Sequence, residues 1–86
     1  MNLNLYHVSQ GQNNDYDTYS DFVICCENEE VARNASPNDG EPLTEMEWKC
    51  RHSAWCNDPK HVSVRHIGVA NENTPAGIVC SSYHAG

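Results

Sequence analysis

The chain predicts an α+β domain with a mainly antiparallel four-stranded sheet and one short helix. Three observations carry this. Four separate stretches alternate apolar residues with a period of two, a capped segment before Pro37 has helical character, and Gly, Asn, Asp and Pro punctuate the gaps. A chain of 86 residues makes one domain, residues 1 to 86, in the order strand, strand, helix, strand, strand. At that size roughly 60 to 65% of the unfolded surface can be buried, so the core is small.

Residues 2 to 10 alternate around Leu3, Leu5 and His7, with Tyr6 and Val8 on the other face, and form the first strand. Residues 11 to 18 are rich in Gly, Asn and Asp, which tolerate left-handed dihedrals, and close a hairpin. Residues 21 to 27 set Phe22, Ile24 and Cys26 on one face and Val23 and Cys25 on the other, an apolar run expected of a central strand buried on both sides. Asn28 then caps a helix whose first turn carries Glu29 and Glu30, favoured there by the helix dipole. Val31, Ala32 and Ala35 supply its apolar face, and Pro37 stops it.

Residues 38 to 42 are turn chemistry. Residues 43 to 56 read either as a short amphipathic helix or as an extended segment, with Trp48 and Trp55 large enough to cover an open face of the sheet. In the strand at residues 61 to 70, Val62 and Val64 share one face while Ile67 and Val69 have the opposite parity. Either both faces are buried there or a bulge near Arg65 and His66 resets the register. The last strand, residues 77 to 84, places Ile78 and Cys80 opposite Val79 and Tyr83.

The net charge of −7 is unevenly distributed. Residues 1 to 47 hold ten of the twelve carboxylates against Arg33 alone, whereas Lys49, Arg51, Lys60 and Arg65 all follow. No basic stripe with interleaved aromatics exists, which argues against direct nucleic-acid binding and favours a basic protein partner. A mean hydropathy of −0.70 is polar, yet the 38% hydrophobic share is enough for a folded core. The N-terminus lacks a basic leader followed by an apolar segment, and no apolar run approaches membrane-spanning length, so a cytoplasmic protein without membrane attachment is expected. Five cysteines in no framework spacing are expected to be reduced thiols.

Several separated motifs stand in order along the chain: Asn14-x-Tyr16-Asp17-Thr18-Tyr19, the Glu29-Glu30-x-Ala32-Arg33 helix, Val62-x-Val64-x-x-Ile67-Gly68-x-Ala70, and the run from Gly77 to Gly86. Together they resemble a family of small proteins encoded by bacteriophages and prophages, with no assigned activity. The resemblance implies an accessory protein acting in the host cytoplasm by binding, and inhibiting or redirecting, a host protein. The Cys and His content here is higher than the family pattern, which separates any metal role from it.

Four constellations bear on chemistry. Cys50, His52, Cys56 and His61 are of the types tetrahedral zinc prefers, but they lack the paired Cys-x2-Cys knuckle, so buried thiols and surface histidines are the simpler reading. Oxygen-bearing residues alternate from Asn13 to Tyr19 as in a calcium loop, yet the sixth position is Thr18 rather than Gly and the twelfth is Ile24 rather than Glu. Cys80, Ser81, Ser82 and His84 have no nucleophile elbow or orienting acid nearby in sequence. No cofactor and no catalysis are therefore expected. The remaining feature is the acidic loop with Asn13, Asp15, Tyr16, Asp17 and Tyr19, which combines charge with aromatic surface and is the expected partner-binding face. The sequence is thus read as a non-enzymatic binding protein. Its alternatives are an acidic DNA mimic inhibiting a defence enzyme, a small zinc module, or a structural protein that self-associates through an edge strand.

Overall fold

The two most regular apolar alternations in the chain pair with each other. The computed structural model describes residues 3–11, 18–49, 55, 56 and 58–84. In it β1 (Asn4–Gln10) and β2 (Thr18–Cys26) run antiparallel, with Tyr6 opposite Ile24 and Val8 opposite Phe22. β3 (Val62–Val69) adds outside β1 and β4 (Gly77–His84) outside β2, giving the order β3-β1-β2-β4 with every pairing antiparallel. The N-terminal hairpin is therefore the centre of the sheet and the C-terminal half supplies both edges. Residues 70–76 connect edges that lie about 14 Å apart by strand spacing, and the Ala70 N–H donates to the Leu3 carbonyl at 2.8 Å as the chain crosses.

Alternation assigns the faces. Tyr6, Val8, Phe22, Ile24, Cys26 and Val62 point to one side and join Ala32, Ala35, Trp48, Trp55 and Cys56 in a single core. The Phe22 and Trp55 rings lie 5.3 Å apart at 51°, a tilted contact. Val8, Phe22 and Ile24 are at most 1% exposed, and full burial of such side chains is worth about 1.5–3 kcal/mol each. The two tryptophans do cover the sheet, as their size requires.

Two short helices supply the rest of the cover. α1 (Glu29–Arg33) begins where the Asn28 side chain accepts from the Val31 N–H at 2.9 Å. Arg33 closes it by turning inward, donating to the carbonyls of Val62 and Pro59 and to Glu29, which straps α1 to the start of β3. α2 (Glu45–Lys49) starts with a reciprocal capping box: the Glu47 N–H donates to Thr44 Oγ1 at 3.2 Å, and the Thr44 N–H donates to Glu47 Oε1 at 3.1 Å. Among the described residues no helix is long and apolar enough to cross a membrane.

The α+β class and the four-stranded antiparallel sheet stand, but three details differ from expectation. The expected single helix is joined by α2, so the order is strand, strand, helix, helix, strand, strand. Val31 is exposed, and α1 buries only the small face of Ala32 with Ala35 just beyond its end. Ile78 faces the core opposite Ile24, whereas Cys80 stands opposite Val23 on the other side, because Val79 is an extra residue in the ladder. The parity break in β3 is likewise a bulge: Tyr6 pairs with His66 and Leu5 with Gly68, leaving Ile67 over.

Candidate functional site

Of the expected partner-binding residues, Asn13, Asp15, Tyr16 and Asp17 lie outside the described residues. Tyr19 does not project freely. Ser20 is an extra residue between the Tyr19 and Asp21 pairs, and Tyr19 packs against the core margin with its ring 4.7 Å from that of Tyr83. Its hydroxyl donates to Asn38 Oδ1 at 3.4 Å, linking the start of β2 to the turn after α1.

Of the zinc candidates, Cys50 and His52 lie outside the described residues. Cys56 is buried in the core with its thiol donating to the Asp58 carbonyl at 3.6 Å, and burial pushes the thiol up from its ordinary value. His61 is half-buried at the end of the 3-10 turn Pro59–His61. No group of three metal-ligating side chains comes together among the described residues.

Charge, in contrast, does come together. α1, α2 and the turns beside them cover one side of the sheet, and their exposed residues include Glu27, Glu29, Glu30, Asp39, Glu41, Glu45 and Glu47. Caps explain part of this pattern: Glu29 and Glu30 sit in the first turn of α1, Glu45 and Glu47 in that of α2. The two helices and the turns between them carry two cations, Arg33, which donates to Glu29 and to two backbone carbonyls, and Lys49 at the end of α2, against seven exposed carboxylates. The helical side therefore presents a carboxylate layer to solvent. In the sequence its members are general acidity, and their gathering on one side follows only from the packing of both helices on the same face.

The opposite face of the sheet carries a polar pair that sequence spacing did not suggest. His7 Nε2 donates to Asp21 Oδ2 at 2.8 Å, and Ser20 Oγ donates to Asp21 Oδ1 at 2.7 Å. These hydrogen bonds, His7 first, hold the Asp21 carboxyl below its ordinary value against a smaller opposing effect of burial. Arg65 stands opposite His7 on β3, and Ser9 and Ser82 stand opposite Asp21 on either side. Such a couple can orient an imidazole, but no hydroxyl or thiol is bonded to that imidazole among the described residues, so it is a cross-strand hydrogen bond rather than part of a nucleophilic set. The chain matches no protein-family model, no curated protein and no solved structure. The case for function rests on these two faces.

Proposed function

We propose that this chain is a non-enzymatic binding protein that docks on a basic protein partner. The observation that supports this is the excess of carboxylates on the helical side, seven exposed acids against Arg33, which is turned inward, and Lys49 at the end of α2. Such a surface raises the encounter rate with a positively charged patch and selects against acidic ones. In the setting implied by the resemblance to small phage-encoded proteins, the partner is a host protein met in the host cytoplasm. Self-pairing of the layer is opposed by its own charge, so it supports a heterologous contact.

The test compares the wild-type chain with a Glu27→Gln, Glu30→Gln, Glu41→Gln, Glu45→Gln variant as baits in host lysate at low salt. These positions avoid Glu29 and Glu47, which hold Arg33 and the α2 cap. The expected result is a basic protein retained by the wild type, released by moderate salt and lost with the variant. Equal retention by both baits, or no specific partner at low salt, overturns the proposal. Release of the captured partner by duplex DNA identifies the occupied surface as a nucleic-acid groove.

A further inference from the structure

Asp39-Gly40 is the one place in the chain where glycine follows an aspartate or an asparagine. That dipeptide permits a reaction that bulkier successors hinder, because glycine puts no Cβ beside its own nitrogen. The turn around it is closely bonded. Ala35 and Pro42 form an antiparallel bridge, the Ser36 N–H donates to the Glu41 carbonyl at 2.8 Å, and the Leu43 N–H donates to the Asn34 carbonyl at 2.8 Å. At the tip the Glu41 N–H donates to Asp39 Oδ1 at 2.9 Å. This Asx-turn closes a small ring that contains both Asp39 Cγ and the Gly40 nitrogen. The Gly40 N–H in turn donates to the Ser36 carbonyl at 2.8 Å.

We propose that Asp39 is a self-modification site, at which isomerisation to isoaspartate is gated by the opening of this turn. When the Gly40 N–H leaves the Ser36 carbonyl, the Gly40 nitrogen attacks Cγ of the protonated Asp39 carboxyl. A C–N bond forms, and the carboxyl hydroxyl leaves with the amide proton as water, which gives a five-membered imide. Water then adds back to one of the two imide carbonyls. Breaking the N–Cγ bond restores aspartate. Breaking the bond to the old main-chain carbonyl leaves the chain running through Cγ, with the former carbonyl carbon as a free carboxylate. Nothing is oxidised or reduced, and water is the only co-reactant.

The isoaspartyl linkage lengthens the main chain by one carbon where there is little room for it. Gly40 takes a left-handed dihedral (φ 77°), and a Cβ built on it would meet Ile78 Cγ1 and the Ile78 backbone nitrogen at 3.4 Å. Ile78 packs against the core opposite Ile24. The longer turn therefore loosens its own hydrogen bonds and its seat on the start of β4. The number of carboxylates and the net charge stay the same, so this inference stands apart from the docking proposal and each can fail without the other.

The test incubates the full native chain, and the same chain unfolded in urea, in mildly acidic buffer at physiological temperature. Fragmentation mass spectrometry that separates isoaspartate from aspartate then reads residue 39. Isoaspartate is expected in both samples, accumulating on the order of tenfold more slowly in the native chain because the reaction waits on the open turn. Amide exchange of the separated isomer is expected to be faster at Ser36 and Gly40 than in the fresh chain. In Asp39→Glu the corresponding imide has six members and forms far more slowly, so that chain is expected to keep its original exchange through the same incubation. Four results each overturn the proposal: a native chain free of isoaspartate at residue 39 once the unfolded chain has largely converted, equal rates in the two states, an isomer whose Ser36 and Gly40 amides exchange as before, or an Asp39→Glu chain that loosens on incubation.

Discussion

Asp21 receives hydrogen bonds from His7 and Ser20 on a face that water still reaches, and that combination sets its contribution. Both members of the His7–Asp21 hydrogen bond have side chains 38% exposed, so the pair is worth about 1 kcal/mol at most. The folded-state carboxyl titrates below its ordinary 3.8. The stability it adds is therefore present above that value and lost as pH falls through the lower, folded one. Asp21→Asn should destabilise the chain near neutrality by up to about 1 kcal/mol, and the gap between wild type and variant should close as pH drops below 3.8. Urea titrations across the acid range check this, and a gap that persists in strong acid assigns the effect to packing instead. His7 and Asp21 are far apart in sequence, and only the hairpin register makes them neighbours. A reading that placed both on strands had no means of joining them, whereas Asn28 was legible because its partner, the Val31 N–H, lies within the same turn.

Short elements live on their ends. α1 has only five residues, far fewer than an isolated helix needs, so its persistence depends on the Asn28 cap, the Arg33 strap and the burial of Ala32. Asn28→Ala should cost about 1 kcal/mol and Asn28→Ser only a small part of that. The measurement is the urea midpoint, with the slope unchanged because both variants expose the same surface on unfolding. Equal stability of all three chains would mean that the strap alone holds α1. The same brevity explains what the sequence concealed. α2 spans less than two turns and its apolar positions fit an extended segment equally well, so periodicity could not choose, although Thr44 and Glu47 stand at capping-box spacing. The bulge in β3 was legible as a parity conflict between Val64 and Ile67. The bulge at Val79 was not, since it appears only against the register of β2.

At the scale of the whole molecule, antiparallel pairing could be read from four alternating stretches, but the order β3-β1-β2-β4 could not, because no local signal says which edge each C-terminal strand joins. That order makes the hairpin central, and the helices packed on one of its faces concentrate the charge. Lowering the salt concentration should expose the consequence. The screening length shrinks from about 30 Å at about 10 mM salt to about 8 Å at about 150 mM. The exposed carboxylates of residues 27 to 47 outnumber the cations on the same elements, and their net repulsion, relieved when the chain unfolds, favours unfolding most at low salt. The Glu29–Arg33 pair, at 3.2 Å with Glu29 exposed and Arg33 half-buried, responds in the opposite sense but amounts to about 0.5 kcal/mol or less. Repulsion among like charges therefore decides the sign, and sodium chloride should raise the thermal midpoint by several degrees, given about 4–8 °C per kcal/mol for a domain of this size. The variant with glutamine at positions 27, 30, 41 and 45 should start higher at low salt and respond less. A wild-type midpoint that falls as salt is added would mean that attraction outweighs repulsion on this surface, and the helical side would then lack the unneutralised field that the docking proposal requires.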